Sequence, residues 1–148
     1  MNFCFFNNIQ LSTIDILYDL GCGDGRFLIR AALAEPDLMC LGIELNEEFC
    51  SRARRSIVSH GLKNRLKIIT GDVCTIMKDY CEKHEERRAA AFVYLLPNGL
   101  KCIENILREI KNSPGGKVVS YMFQIPGWKP DICYATDKAG ICKIYLYK

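Results

Sequence analysis

At 148 residues, 49% hydrophobic and 25% charged, the chain has the length and composition of one globular domain with a real core, and leaves no room for a second. A net charge of +3 excludes polyanion binding by bulk electrostatics, so nucleic acid is not indicated as a partner, although Arg52, Arg54 and Arg55 are expected to form a local basic patch on one helix. Nine cysteines, scattered singly at positions 4, 22, 40, 50, 74, 81, 102, 133 and 142 with no C-x-x-C pair, speak against a disulfide framework or a zinc site and are expected to be reduced, mostly buried small hydrophobes.

Residues 1–13 carry Phe3, Cys4, Phe5 and Phe6 but no clear element, and the first basic residue is Arg26. Neither a secretory signal, an Arg-rich transit peptide nor a membrane span is expected from such a segment. The expectation is therefore one domain over 1–148 without direct membrane insertion, intracellular and cytoplasmic, with a mitochondrial location left open if further residues precede Met1.

From Asp15 onward, apolar runs of strand length alternate with helical patterns, the sequence form of a doubly wound parallel sheet. A first strand is predicted over 15–20, then a helix from about Arg26 that Pro36 stops. A second strand over 39–43 leads to a helix capped by Asn46 and ending near His60, before Gly61. A third strand is predicted over 66–70 and a third helix from Cys74 to about Glu82. The charge run 83–88 reads as a solvated turn. A fourth strand over 90–95 precedes one helix over 98–111, with Leu100, Ile103, Ile106, Leu107 and Ile110 on one face. A fifth strand is predicted over 117–123. The segments 132–136 and 141–147 have strand spacing without an intervening helix, so they are expected to form an antiparallel hairpin with one reversed strand at the sheet edge. The predicted class is α/β: a Rossmann-like, doubly wound, mostly parallel seven-stranded sheet with an antiparallel C-terminal strand.

The sequence Asp19-Leu20-Gly21-Cys22-Gly23-Asp24-Gly25 places a glycine loop between the first strand and its helix, where open α/β sheets bind ligands. A side chain at Gly21, Gly23 or Gly25 is expected to block close approach of a ligand. A dinucleotide loop wants G-x-G-x-x-G, but Arg26 stands at the place of that last glycine, and carboxylates at Asp19 and Asp24 repel a pyrophosphate. They suit a ligand carrying an ammonium and a sulfonium, S-adenosylmethionine. Glu44, at the end of the second strand, stands where a carboxylate accepts both hydroxyl protons of a ribose. Asp72 follows the third strand and either accepts from an adenine amino group, with Val73 packed on the ring, or caps a helix. His60 and His84 lie in helix-end and charged contexts, and with no His/Cys cluster no metal is expected.

These residues, Tyr18 to Arg26 and Gly42-Ile43-Glu44-Leu45-Asn46, resemble the motifs of class I S-adenosylmethionine-dependent methyltransferases. Tyr94-Leu95-Leu96-Pro97, Pro114-Gly115, Val118-Val119-Ser120 and Ile125 to Asp131 narrow the resemblance. They are similar to the archaeal broad-specificity protein-lysine methyltransferases and to the mitochondrial enzymes that methylate lysine in the ATP synthase c-subunit and the ADP/ATP carrier. The resemblance implies that Asp19, Gly21, Cys22, Gly23, Gly25, Glu44, Leu45, Asp72, Val73, Tyr94 and Leu95 hold the cofactor, with Tyr94 and Leu95 beside the transferred methyl. Family members carry a longer segment before the first strand that helps cover the cofactor. After Ser120 they often have His and an acid, where this chain has Tyr121 and Met122.

The activity implied is direct in-line methyl transfer to a lysine of a protein substrate, in which orientation and desolvation supply most of the rate and an apolar channel lowers the amine's pKa. Tyr94 is the candidate catalytic residue, lining that channel; read without the resemblance it is equally a core aromatic. Trp128 either closes the channel or packs. Enzymes acting on planar amino groups usually display Asn/Asp-Pro-Pro-aromatic where this chain has Tyr94-Leu95-Leu96-Pro97, which ranks a lysine amine first. The alternatives are a small-molecule or RNA methyltransferase, and a truncated or catalytically inactive cofactor-binding domain.

Overall fold

A computed structural model describes residues 9–81 and 87–148 of the chain. In chain order the elements are β1 (Ile16–Leu20), α1 (Arg26–Ala34), β2 (Met39–Glu44), α2 (Glu47–Ser59), β3 (Leu66–Thr70), α3 (Val73–Cys81), β4 (Ala89–Val93), α4 (Pro97–Cys102), α5 (Glu104–Asn112), β5 (Lys117–Tyr121), β6 (Ile132–Ala135) and β7 (Lys143–Tyr147). The strands form one seven-stranded sheet of order β3-β2-β1-β4-β5-β7-β6, parallel from β3 to β5, with β7 antiparallel to both of its neighbours.

Both faces are covered, so β1 and β4 are buried along their whole length and read as continuous apolar runs rather than alternating ones. One face packs Leu17, Phe92 and Val119 against Phe27 and Leu28 of α1 and Cys50, Ala53 and Ile57 of α2. The other packs Tyr18, Ile43 and Val93 against Met77 of α3, Leu100 of α4 and Leu107 and Ile110 of α5. Gly42 lets the first face close: a Cβ there lies 2.6 Å from Cys22 Sγ and 2.9 Å from Leu28 Cδ1. Trp128 belongs to the second core, its indole N–H donating to Glu104 at 3.0 Å and its ring edge-on to Tyr147, so it packs rather than closes a channel.

Several details differ from the sequence expectation. The helix over 98–111 is two helices, broken at Ile103, and the break keeps Leu100, Ile103 and Leu107 all inside the same core. The reversed strand is not at the edge: the connection over 122–131 carries β6 outward, and β7 returns between β5 and β6. Arg88, expected in a solvated turn, pairs with Asp15 at 2.6 Å and ties the start of β4 to that of β1; residues 83–86 of the same run lie outside the described residues. Of the three arginines of α2, Arg52 pairs with Glu48 and Arg54 with Glu47 and Thr70, while Arg55 is exposed. Among the described cysteines, all free, Cys22, Cys40 and Cys50 are buried, but Cys74, Cys102 and Cys133 are exposed.

Of residues 1–13, the described part packs into the α1/α2 side of the core through Ile9 and Leu11. The Lys117 ammonium donates to the Ile9 carbonyl at 2.7 Å and fastens this stretch at the start of β5, the end of the sheet opposite the glycine loop. No described helix is long and apolar enough to cross a membrane.

Candidate active site

The glycine loop, Glu44, Asp72 and Tyr94 come from four successive strand-to-helix turns and meet along the carboxyl ends of β1 to β4, because all four strands run parallel. Register then sets which side chains share a row. Leu20 faces Ile43, Asp19 faces Phe92 and Val93 faces Ser120. One residue past these pairs, Glu44 follows beside Gly21 on β2 and β1, and Tyr94 beside Tyr121 on β4 and β5.

Glu44 shapes the loop. One carboxylate oxygen accepts the Gly23 N–H at 2.9 Å and the other accepts the Asn46 N–H at 2.9 Å. Asn46 in turn caps α2, accepting from Glu48 and Phe49. Each oxygen keeps a second lone pair, enough for the two hydroxyls of a ribose.

The three glycines have different tasks. Only Gly23, at φ 54°, opens onto free space, with no atom within 4 Å of a Cβ placed there. A Cβ on Gly25, at φ 74°, sits 3.1 Å from Ala53 Cβ, so this glycine serves the approach of α2 to the start of α1. Gly21 is overlain by Leu95, whose Cδ2 lies 3.2 Å from a Cβ there, and Leu95 thereby forms the floor beneath the loop. The Cys22 side chain turns into the core beside Gly42, burial pushes its thiol well above the ordinary range, and its backbone N–H donates to the Ile43 carbonyl at 3.0 Å.

The acids divide as well. Asp19 is 2% exposed; burial first, and the Glu44 charge second, raise its pKa to about 8. Asp24 is not available as a second loop charge: Arg26 holds its carboxylate in two-point contact, 2.9 and 2.6 Å, and lowers its pKa. Asp72 caps α3, one oxygen accepting from Thr75 N–H at 3.0 Å and from its hydroxyl at 3.3 Å. The capping reading is therefore realised, and it leaves the other oxygen for a ligand amino group. Val73 follows, half-buried.

Apolar side chains stand exposed around this edge, notably Leu45 at 73% and Tyr94 at 53%, with Leu96 and Phe49 beside them. Tyr94 is thus not a core aromatic. Its ring meets Tyr121 edge-on at 5.2 Å between centroids. Tyr121 was not among the site residues expected from the sequence, although its place in the row follows from counting one strand over. Among the described residues no group of three or more His, Cys, Asp or Glu gathers to hold a metal.

The site fits S-adenosylmethionine: open space over Gly23, paired acceptors at Glu44, a buried carboxyl at Asp19 and apolar flanks at Leu45 and Val73. Fold and site together define a class I S-adenosylmethionine-dependent methyltransferase. Residues 19–132 match the ANTKMT methyltransferase domain, and the chain belongs to that family. It is 33% identical over 140 residues, 93% of this chain and 81% of the relative, to a protein-lysine N-methyltransferase from Saccharolobus islandicus. An RNA methyltransferase from Salinibacter ruber, solved with S-adenosylhomocysteine, superposes with a TM-score of 0.77 at 28% identity, covering 99% of this chain and 91% of that one. A tRNA (guanine-N(7)-)-methyltransferase from Helicobacter pylori is 39% identical over 83 residues, which are 53% of this chain but 21% of that protein.

Proposed function

We propose that this methyltransferase transfers the methyl group to the side-chain amine of lysine in a protein. The observation that carries the reading is the exit of β4. It presents an exposed tyrosine ring braced by a second one, with Leu95 and Leu96 beyond, and none of the amide acceptors that grip a planar amino group. The lysine methyltransferase relative from Saccharolobus, aligned over nearly the whole chain, supports it.

In this reading Glu44 accepts the ribose hydroxyls, the free oxygen of Asp72 accepts the adenine amino group, and Leu45 and Val73 flank the ring. Asp19 faces the ammonium of the cofactor's amino-acid end, while Gly21, Cys22, Gly23 and Gly25 give the loop its shape. The bound cofactor supplies a methyl carbon on a positively charged sulfur, open to in-line attack. The chain's part is to hold a neutral amine on that line. Tyr94 and the apolar residues after it disfavour the ammonium form of lysine as it leaves water, and orientation with exclusion of water supplies most of the rate. The protein is placed inside the cell, where cofactor and protein substrates meet.

Labelled S-adenosylmethionine added with the enzyme to a cell extract tests the reading. Label recovered as methyl-lysine after acid hydrolysis, and lost with Tyr94→Ala, is the expected result. The Salinibacter RNA methyltransferase favours a second reading, in which the label is nuclease-sensitive. Cofactor binding without transfer to either pool leaves a binding domain.

A further inference from the structure

We propose that Thr70 is a positioning residue that determines specificity for the cofactor's base: its hydroxyl, clasped by Glu47 and Arg54 of α2, sets the Asp72 carboxylate where it selects a purine that carries the adenine amino group. The proposal deepens the cofactor site and rests on the reading in which Asp72 accepts that amino group and Glu44 the ribose hydroxyls.

Three observations carry it. The first is a hydroxyl with both of its roles fixed. Thr70, the last residue of β3, donates to one Glu47 carboxylate oxygen at 2.6 Å and accepts from the Arg54 guanidinium at 2.7 Å. A carboxylate only accepts and a guanidinium only donates, so the threonine proton has one place to go, and both bonds are charge-assisted. Arg54 closes the ring by donating to the other Glu47 oxygen at 2.9 Å, and the spacing of seven residues puts the two on one face of α2.

The second is where the clasp stands. Glu47 opens α2, three residues after Glu44, and Thr70 ends β3, two residues before Asp72. The strands pair with Glu44 opposite Thr70, and the Gly71 N–H donates to the Glu44 carbonyl at 2.9 Å. The backbone thus ties the β2 and β3 exits once, and the Glu47–Thr70 bond ties them again through side chains. The carboxylate for the ribose and the carboxylate for the amino group therefore stand on turns fastened twice to one another.

The third is what lies between Thr70 and Asp72. Gly71 carries no side chain that could hold the turn, and a Cβ there meets Ile76 Cδ1 at 2.8 Å. Beyond it, Asp72 is held on the α3 side alone, by its cap to Thr75. Thr70 is the residue before that glycine whose side chain is anchored. The ion pair of the clasp lies at the surface, where such pairs contribute little to stability, so what the clasp supplies is a fixed place for the end of β3.

Calorimetric titration of the full chain with S-adenosylhomocysteine, and with its analogue in which hydrogen replaces the 6-amino group of the purine, tests the proposal. The wild type is expected to prefer S-adenosylhomocysteine at least about tenfold, the worth of a hydrogen bond to a charged acceptor. Thr70→Val keeps the shape and breaks both hydroxyl bonds, and Glu47→Ala removes the acceptor from the bond between the turns. Each is expected to lower the preference about three- to tenfold by weakening S-adenosylhomocysteine alone, with affinity for the analogue and melting temperature unchanged. Thr70→Ser, which keeps the hydroxyl, is expected to restore the preference. A preference unmoved in either variant, or a loss shared equally by the two ligands, overturns the proposal and leaves the clasp a structural contact. Asp72→Ser keeps a helix cap but withdraws the second oxygen, and decides on the underlying reading. If it leaves the preference intact, the adenine contact falls and the proposal with it; if it abolishes a preference that Thr70→Val and Glu47→Ala leave intact, the proposal falls alone.

Discussion

The Glu44 carboxylate accepts the Gly23 backbone N–H at 2.9 Å, so the residue proposed to take the ribose hydroxyls is also the one that holds the glycine loop in shape. Its other oxygen does the same for Asn46 at the start of α2. Glu44→Ala is therefore expected to weaken S-adenosylhomocysteine at least about 100-fold, as two charge-assisted hydrogen bonds to ligand are lost, and to cost about 1–3 kcal/mol of stability as two N–H groups lose their partner. Glu44→Gln, which keeps one acceptor oxygen, should fall between in both calorimetric titration and thermal unfolding.

Gly23 and Gly25 separate ligand access from packing. Gly23→Ala meets nothing within 4 Å and costs only the left-handed backbone penalty, about 1–2 kcal/mol, but places a methyl in the space left for the ligand. It should remain folded and lose cofactor affinity. Gly25→Ala adds to that penalty a Cβ 3.1 Å from Ala53, so its loss should appear first in the melting temperature.

Asp19 gives a pH signature. Its folded pKa is raised from 3.8 to about 8, so its contribution to stability is fully present below pH 3.8 and is lost as pH rises through about 8. Asp19→Asn should stabilise the cofactor-free protein, by roughly 1–3 kcal/mol near neutral pH, with a gain that grows from pH 4 to 8 and then levels. An ammonium bound beside the carboxyl reverses the balance. Binding of S-adenosylhomocysteine to the wild type at pH 7 should release a proton, and its affinity should rise with pH up to about 8. Calorimetry in buffers of different ionisation enthalpy measures that proton; none released refutes the placement of the ammonium at Asp19.

Far from the site, the Arg65 guanidinium donates to the carbonyls of Ala32 at 2.8 Å, Glu35 at 3.1 Å and Leu38 at 3.2 Å, closing the end of α1 and the turn after it. Arg65→Ala should cost about 1–3 kcal/mol in denaturant unfolding and leave cofactor affinity as it was.

The order of strands and helices was legible because each β-α unit carries its own local signals. The apolar runs, Asn46 before α2 and the glycines after β1 are read within a few residues of where they act. The acids Asp19, Glu44 and Asp72 were legible for the same reason, standing at strand ends whose common direction the alternation implies.

Only the tertiary structure decided what those groups do to one another. Asp24 is spent on Arg26, Gly25 faces Ala53, and the Cys22 side chain turns inward, since each depends on a neighbour brought up by packing. The place of β7 between β5 and β6 was out of reach too, because a hairpin fixes the pairing of its two strands but not which of them meets the sheet. The sequence by itself determined a doubly wound sheet with a cofactor loop on it. Register between β4 and β5, which no local signal encodes, set Tyr121 beside Tyr94.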